Sequence, residues 1–213
     1  GKQKENGHLK GIIVTGCLAQ LYGEELQKEM PEIDVLLGTT AYEHILEAVD
    51  RIEKNEKGSI YEAIDYLPKG FQNRLVTTGG YTAYLKIAEG CDKHCTYCII
   101  PSLRGRYRSV SMEEILDTAK RLVSEGAKEL ILVAQETTVY GTDLYGEKML
   151  PELLHKLCEL DVSWVRILYC YPEEITDELI ETMASEPKIC KYFDIPIQHS
   201  EDNILKRMGR KTN

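Results

Sequence analysis

Residues 83–98 read AYLKIAEGCDKHCTYC, a strand-like run that leads directly into three closely spaced cysteines. The first six of these residues fit a short β-strand. Cys91, Cys95 and Cys98 follow in a C-x3-C-x2-C pattern that starts directly after Gly90. The sequence therefore predicts a strand that carries a cysteine loop at its carboxyl end.

The sequence after this loop alternates between predicted helices and strands. The first helix begins at a capping box formed by Ser111 and Glu114 and ends at Gly126. The elements predicted after it are a strand at 129–134, a helix at 150–160, a strand at 165–169, a helix capped by Thr176, a strand at 192–197 and a helix at 202–208. Successive β/α units at intervals of about 30 residues indicate a TIM-type (β/α) barrel, and we assign its first four units to residues 81–213.

The residues before the cysteine loop predict a smaller α/β unit. Two buried-strand runs, 11–15 and 33–37, alternate with helical patterns, the second of them at 42–53. This alternation indicates a parallel sheet covered by helices, although it is too short for a complete domain. We assign residues 1–54 to the C-terminal part of such a domain and the polar, irregular residues 55–80 to a linker. Because the chain starts with glycine and stops directly after a helical pattern, we expect it to be part of a longer protein.

The composition narrows the classes of function. A net charge of −9 excludes a basic surface for nucleic acid over the whole chain. Arg104, Arg106 and Arg108 are the best local candidate, and a solvated loop is their simpler interpretation. No apolar run approaches the roughly 20 residues that cross a bilayer, and no secretory signal is visible, so we expect a cytoplasmic protein without a membrane partner. In such a protein the seven cysteines are expected to act as ligands or nucleophiles and not as disulfides.

Three thiolates on one short loop suit an iron–sulfur cluster better than a closed metal site. They fill three of the four iron positions of a cubane and leave the fourth iron open to another ligand. A structural zinc site normally has four protein ligands, and His94 is the candidate for the fourth. Its place next to Cys95 disfavours zinc, because the ring would have to fold back onto its own ligand set. Zinc and inert core cysteines are the alternatives.

The loop, with Tyr97 before its last cysteine, resembles that of the radical S-adenosylmethionine (SAM) superfamily. The resemblance implies that Cys91, Cys95 and Cys98 hold a 4Fe–4S cluster whose open iron chelates the amino and carboxylate groups of SAM. It also implies that an electron from the cluster cleaves SAM and yields a 5′-deoxyadenosyl radical. Tyr97 is expected to pack near the adenine, with simple loop packing as the alternative.

Residues 14–20, VTGCLAQ, resemble the third-cysteine motif of the methylthiotransferase N-terminal domain. The resemblance implies that Cys17 is one of three ligands of a second 4Fe–4S cluster, whose other two cysteines would precede Gly1. The full-length protein would then hold two clusters, and we do not expect full activity from this chain alone. The alternative for Cys17 is a small buried residue at the start of a helix.

Two sequence segments near the ends of predicted strands indicate which kind of substrate a methylthiotransferase of this sequence would modify. Residues 135–146, QETTVYGTDLYG, and 166–172, RILYCYP, are similar to the type that modifies a ribosomal protein. The resemblance implies methylthiolation of the β-carbon of an aspartate in small-subunit ribosomal protein twelve. A tRNA adenosine methylthiotransferase of the same fold is the alternative, and a non-catalytic zinc-binding module is a remote one. An unactivated C–H bond offers no acidic proton to a general base, so hydrogen-atom abstraction is the available route.

The resemblance and the position of residues at strand ends together nominate contacts to SAM. Gln135, Arg166 and Gln198 are expected to help hold it. The alternatives are that the two glutamines tie loops together and that Arg166 pairs with a neighbouring acid. The cysteines that lack ligand spacing and are expected to be packing residues are Cys158, Cys170 and Cys190. As a partner the resemblance implies an electron donor such as flavodoxin or ferredoxin, and it leaves the sulfur donor open.

Overall fold

The computed structural model describes residues 2–67, 74, 76–77 and 79–211. It forms two compact units, one from residues 1–70 with 102–105 and the other from residues 71–101 with 106–213. Of the predicted linker, residues 68–73, 75 and 78 lie outside the described residues. The domain boundaries at residues 54 and 80 stay a prediction.

The first unit contains a three-stranded parallel sheet in the order β1-β2-β3. Its elements are α1 (Lys2–Glu5), β1 (Ile13–Thr15), α2 (Cys17–Glu29), β2 (Val35–Leu37), a 3₁₀ turn (Tyr42–His44), α3 (Ile45–Glu53) and β3 (Gly58–Ile60). The middle strand is buried along its whole length because helices cover both faces of the sheet. Leu36 packs with Ala19 of α2 on one face, and Val35 and Leu37 pack with Ala48 of α3 on the other.

The third strand of this sheet corrects the sequence-based assignment of residues 58–60 to the linker. These residues pair with β2, from Val35 opposite Gly58 to Leu37 opposite Ile60. The segment is only three residues long, too short to show a hydrophobic period. It becomes a strand because β2 offers it an edge to pair with.

Asp34 connects the start of β2 to two other segments of the first unit. Its Oδ2 accepts a hydrogen bond from the amide of Ile12 at 2.8 Å and lies 2.5 Å from the ammonium of Lys4. Burial alone would raise the pKa of this carboxyl, but the hydrogen bonds from Lys4 and Ile12 outweigh burial and hold the pKa below its ordinary value of 3.8. Asp34 is therefore a stabilising charge only while it is ionised.

The second unit is built on another parallel sheet, in the order β4-β7-β8, and it confirms the predicted α/β architecture with parallel strands. Its strands are β4 (Thr82–Lys86), β5 (Ala88–Glu89), β6 (Arg108–Ser109), β7 (Glu129–Val133) and β8 (Trp164–Ile167). Its helices are α5 (Met112–Ser124), α6 (Thr142–Tyr145), α7 (Leu150–Cys158), α8 (Asp177–Ser185) and α9 (Asp202–Arg207), with a 3₁₀ turn at Pro172–Glu174. The short helix α4 (Ile100–Arg104) begins in the second unit, and its residues from 102 onward are assigned to the first. Alternate strand residues form the buried face, against which α5 and α7 pack: Ala83, Leu85, Leu130, Leu132, Val165 and Ile167.

The principal helices of the second unit begin where the sequence predicts them. Ser111 Oγ accepts a hydrogen bond from the amide of Glu114 at 3.3 Å, and Thr176 Oγ1 accepts one from the amide of Leu179 at 3.2 Å. Gly126 follows α5 with a φ of 107°, a left-handed conformation that favours glycine. None of the helices in the described part of the chain is both long and apolar enough to cross a membrane.

The predicted strand at 192–197 is not a strand in the structure. The chain beside β8 makes one isolated parallel bridge, between Val165 and Ile189. The amide of Ile197 bonds to a carbonyl two residues back at 3.0 Å, and Pro196 has no amide hydrogen to donate. Because these donors are absent or used within the segment, a regular ladder with β8 does not form.

Candidate iron–sulfur and cofactor site

The cysteine loop follows β4 and β5 and is anchored to neighbouring segments of the second unit. Its first residue, Gly90, donates its amide hydrogen to Oε1 of Gln135 at 2.8 Å. Further along, the amide of Thr96 donates to the carbonyl oxygen of Met208 at 3.0 Å. The loop is therefore tied to the end of β7 on one side and to the end of α9 on the other.

Gly209 allows the end of α9 to lie directly against the cysteine loop. Its φ is 73°, which side chains other than glycine rarely adopt. A Cβ at this position would lie 2.9 Å from the carbonyl oxygen of His94, closer than real Cβ atoms come to such an atom. Backbone conformation and space both require glycine here.

Cys91 is the thiol of the loop that borders the adjoining cavity. Burial raises the pKa of the Cys91 thiol, the backbone hydrogen bond from Lys93 opposes that rise, and the nearby Glu136 adds to it. Among the residues that the structure describes, no three His, Cys, Asp or Glu side chains are already arranged to hold a metal ion. The donor set still fits an iron–sulfur cluster, because three thiols share one short loop and Cys91 opens onto a cavity. His94, the candidate zinc ligand, is exposed.

The cavity beside Cys91 has a volume of about 350 Å³, within the range of small-molecule and cofactor pockets. The loops that follow β5 and β7 supply most of its wall. The residues that line it are Cys91, Asp92, Lys93, Tyr107, Glu136, Val139, Thr142 and Asp143. A thiol, a cation and carboxylates thus border one space that can hold a zwitterionic ligand.

One buried polar atom in this lining has no hydrogen-bond partner in the described part of the chain. It is Oε2 of Glu136, a residue only 2% exposed. The other carboxylate oxygen of Glu136 accepts hydrogen bonds from the amides of Thr138 at 2.9 Å and Tyr171 at 3.4 Å. Burial raises the pKa of Glu136, while Thr138 and Lys93 oppose that rise. A cationic ligand group placed here would satisfy Oε2 and favour the ionised carboxylate.

The structure places the four sequence-predicted cofactor residues in different surroundings. Gln135 contacts the cysteine loop at Gly90, which is the loop-tying role considered as its alternative. Arg166 pairs with Glu129, Nη2 to Oε1 at 2.8 Å, and does not line the cavity.

Tyr97 is half exposed, and burial and the Cys95 thiol raise its pKa. Gln198 is exposed and has a φ of 63°. Their roles toward SAM stay predictions.

The remaining cysteines lie outside the loop. Cys17 is the first residue of α2 in the first unit and is partly exposed. Cys158 and Cys170 are buried, and burial raises the pKa of each thiol to about 11, which keeps both protonated at neutral pH. Cys190 is partly buried.

Sequence reasoning missed Glu136 and Tyr171. Glu136 follows β7 directly after Gln135 and faces the cavity. Tyr171 follows β8, and its hydroxyl lies 3.6 Å from Sγ of Cys95. Both residues stand just beyond the carboxyl end of a parallel strand, so the rule that nominated Gln135 could have found Glu136 as well. No local signal marks the contact between Tyr171 and Cys95, which lie far apart in the sequence.

One known protein family matches most of the second unit. The family described as the radical SAM superfamily matches residues 85–213, which include the whole cysteine loop, β7 and β8. The chain belongs to the radical SAM superfamily. Membership implies a 4Fe–4S cluster and SAM, the two groups for which the loop and the adjoining cavity provide thiols and space.

Curated relatives extend the similarity to the first unit. A protein of Lachnoclostridium phytofermentans is 63% identical over 211 residues, which are 99% of this chain and 48% of the relative. A protein of Clostridium tetani is 54% identical over 211 residues, 98% of this chain and 47% of the relative. Both are named ribosomal protein uS12 methylthiotransferase RimO. The chain spans about half the length of these relatives.

Among solved structures, the fold is similar to that of a radical SAM methyltransferase, TsrM of Kitasatospora setae. The TM-score is 0.68 at 12% sequence identity, over 95% of this chain and 45% of TsrM. At this identity the likeness concerns the fold alone. It agrees with the radical SAM membership that the family match shows.

Proposed function

We propose that this protein is a radical SAM methylthiotransferase that attaches a methylthio group to the β-carbon of an aspartate in ribosomal protein uS12. The observation that carries the proposal is identity of 63% and 54%, across nearly the whole chain, to proteins that bear this name. The cysteine loop and its polar cavity supply the site that such a reaction needs. A β-carbon has no acidic hydrogen, which makes a radical route chemically appropriate.

In this proposal Cys91, Cys95 and Cys98 hold the cluster, and the cavity beside Cys91 receives the amino-acid end of SAM. When both are bound, they supply an organic radical that can take a hydrogen atom from an unactivated carbon. The unpartnered oxygen of buried Glu136 would accept a hydrogen bond from the amino group of SAM. This contact orients the ligand, and the burial of Glu136 excludes water from it.

The other predicted site residues keep their assignments within the proposal. Gln135 fixes the first residue of the cysteine loop and is assigned to a contact with SAM. Tyr97 is assigned to the adenine, and Arg166 and Gln198 to further contacts with SAM. Cys17 is assigned to a second 4Fe–4S cluster of the full-length protein. Flavodoxin or ferredoxin is the proposed class of electron donor, and the cytoplasm, where ribosomal proteins reside, is the proposed location.

Mass spectrometry of ribosomal protein and tRNA from a deletion strain tests the proposal. We expect the methylthio group to vanish from uS12 and the modified tRNA adenosine to be unchanged. The wild-type gene should restore the uS12 modification, Cys91→Ala should not, and Cys190→Ala serves as a matched cysteine control outside the loop. Loss of the methylthio group from tRNA with uS12 unchanged would overturn the proposal in favour of the tRNA enzyme.

A further inference from the structure

Tyr171 is an aromatic residue that the structure brings to the sulfur of a proposed cluster ligand. Its hydroxyl oxygen lies 3.6 Å from Sγ of Cys95, within hydrogen-bonding distance for sulfur. Its amide donates to Oε1 of Glu136 at 3.4 Å, which ties the residue to the floor of the cavity. Tyr171 therefore spans the ligand loop and the buried carboxylate of the same site.

Two cations hold the ring of Tyr171 in this position. The ammonium of Lys93 lies 4.6 Å from the ring centroid, and the guanidinium carbon of Arg210 lies 3.9 Å from it. Each cation is fixed in turn. Lys93 pairs with Glu174, and the side chain of Arg210 is only 1% exposed and donates to the carbonyl oxygen of Pro196 at 2.8 Å. The ring thus has a fixed place beside Cys95.

The direction of the hydrogen bond follows from the chemistry of the ligand. A cysteine bound to iron is a thiolate and has no proton to donate, so the phenol of Tyr171 must be the donor. Hydrogen bonds to the sulfur ligands of an iron–sulfur cluster are one of the factors that set its reduction potential. A donor stabilises the reduced state more than the oxidised state because the reduced cluster carries one more negative charge. The nearby cations of Lys93 and Arg210 act in the same direction.

We propose that Tyr171 is a positioning residue whose phenol donates a hydrogen bond to Sγ of Cys95 and makes the cluster on this loop easier to reduce. The inference rests on the proposed function, since it requires the cluster to be held by Cys91, Cys95 and Cys98. Tyr171 acts through the ligand Cys95 and not on the substrate. Its role is therefore visible in a reduction potential, independently of turnover.

The test is a redox titration, followed by electron paramagnetic resonance, of the anaerobically reconstituted full-length protein. A Cys17→Ala background removes the proposed second cluster from the signal. Tyr171→Phe keeps the ring between its neighbours and removes only the hydroxyl. We expect unchanged iron content and a roughly tenfold lower ratio of reduced to oxidised cluster at a fixed potential. For a one-electron couple this corresponds to a reduction potential that is lower by about 59 mV. Tyr169→Phe is the matched control, because Tyr169 is a half-exposed tyrosine two positions away.

A second variant tests the same hydrogen bond without removing it. Difluorotyrosine at position 171 retains the shape of the side chain and is a stronger donor, so it should raise the potential where Tyr171→Phe lowers it. An unchanged potential in Tyr171→Phe with full iron content overturns the inference and leaves the proposed function intact. Loss of iron in Tyr171→Phe, with a wild-type potential in the difluorotyrosine protein, makes Tyr171 a scaffold residue only and also overturns it. A wild-type protein that binds no iron refutes the proposed function and this inference together.

Discussion

Replacing Gly209 with alanine tests whether the end of α9 sets the position of the cysteine loop. Two separate costs are expected. The φ of 73° strains any residue with a Cβ by roughly 1–2 kcal/mol. The new Cβ would also lie 2.9 Å from the carbonyl oxygen of His94, so the loop backbone must move, and such overpacking typically costs about 1–3 kcal/mol.

Gly146→Ala separates these two costs. Gly146 has a similar φ of 79°, but a Cβ there would meet nothing within 4 Å. Both variants should therefore lose stability through strain, about 2–4 °C in the midpoint of thermal unfolding for each kcal/mol. Only Gly209→Ala should also displace the cysteine loop.

The assay is the rate at which a chelator removes iron from each reconstituted full-length variant. We expect Gly146→Ala to retain iron as the wild type does. Gly209→Ala should lose it about tenfold faster, the change that corresponds to about 1.4 kcal/mol of lost loop stabilisation. Equal rates of iron loss in the two alanine variants would refute the reasoning, because they would show that the contact with His94 does not position the loop.

Two further predictions concern buried carboxylates. Glu136→Gln should weaken SAM binding at least tenfold, because it removes the carboxylate charge that faces the cavity. The affinity is measured by calorimetry on the iron-loaded protein, whose iron content should not change. An unaltered affinity would exclude the proposed contact. The pKa of Asp34 is lower in the folded protein than its ordinary value of 3.8, so its stabilisation is complete above that value and is lost as pH falls through the folded pKa. Asp34→Asn should lower the free energy of unfolding by about 1–3 kcal/mol at neutral pH. When this free energy is measured by denaturant unfolding at several pH values, it should fall less toward acid pH in the variant than in the wild type. Identical pH profiles in the two proteins would contradict this account.

The sequence predicted the parts of the fold that depend on local pattern. Ser111 and Thr176 cap their helices as predicted, because a hydroxyl that reaches the amide three residues on needs only its own turn. The predicted strand at 192–197 failed because apolar composition does not create a pairing partner. The strand at residues 58–60 was missed for the opposite reason. Its sequence shows almost no hydrophobic pattern, and it forms a strand because it pairs with β2.

For the candidate site, the sequence located the cysteine loop, and the roles of its residues stay predictions. Gln135, predicted as a contact to SAM, contacts this loop at Gly90 in the structure. Arg166 pairs with Glu129 across neighbouring strands, a contact that strand register decides and sequence position does not. Tyr171 reaches Cys95 only because the loops after β4 and β8 meet at one end of a parallel sheet. Contacts between such distant residues require the three-dimensional fold.

The central claim is that three thiolates of one loop hold a cluster and leave one iron for SAM. The most direct measurement is electron paramagnetic resonance of the reduced full-length protein, with and without SAM, in a Cys17→Ala background. We predict a 4Fe–4S signal that changes when SAM is added, disappears in Cys91→Ala and persists in Cys190→Ala. A signal that does not respond to SAM, or one that survives in Cys91→Ala, would contradict the claim.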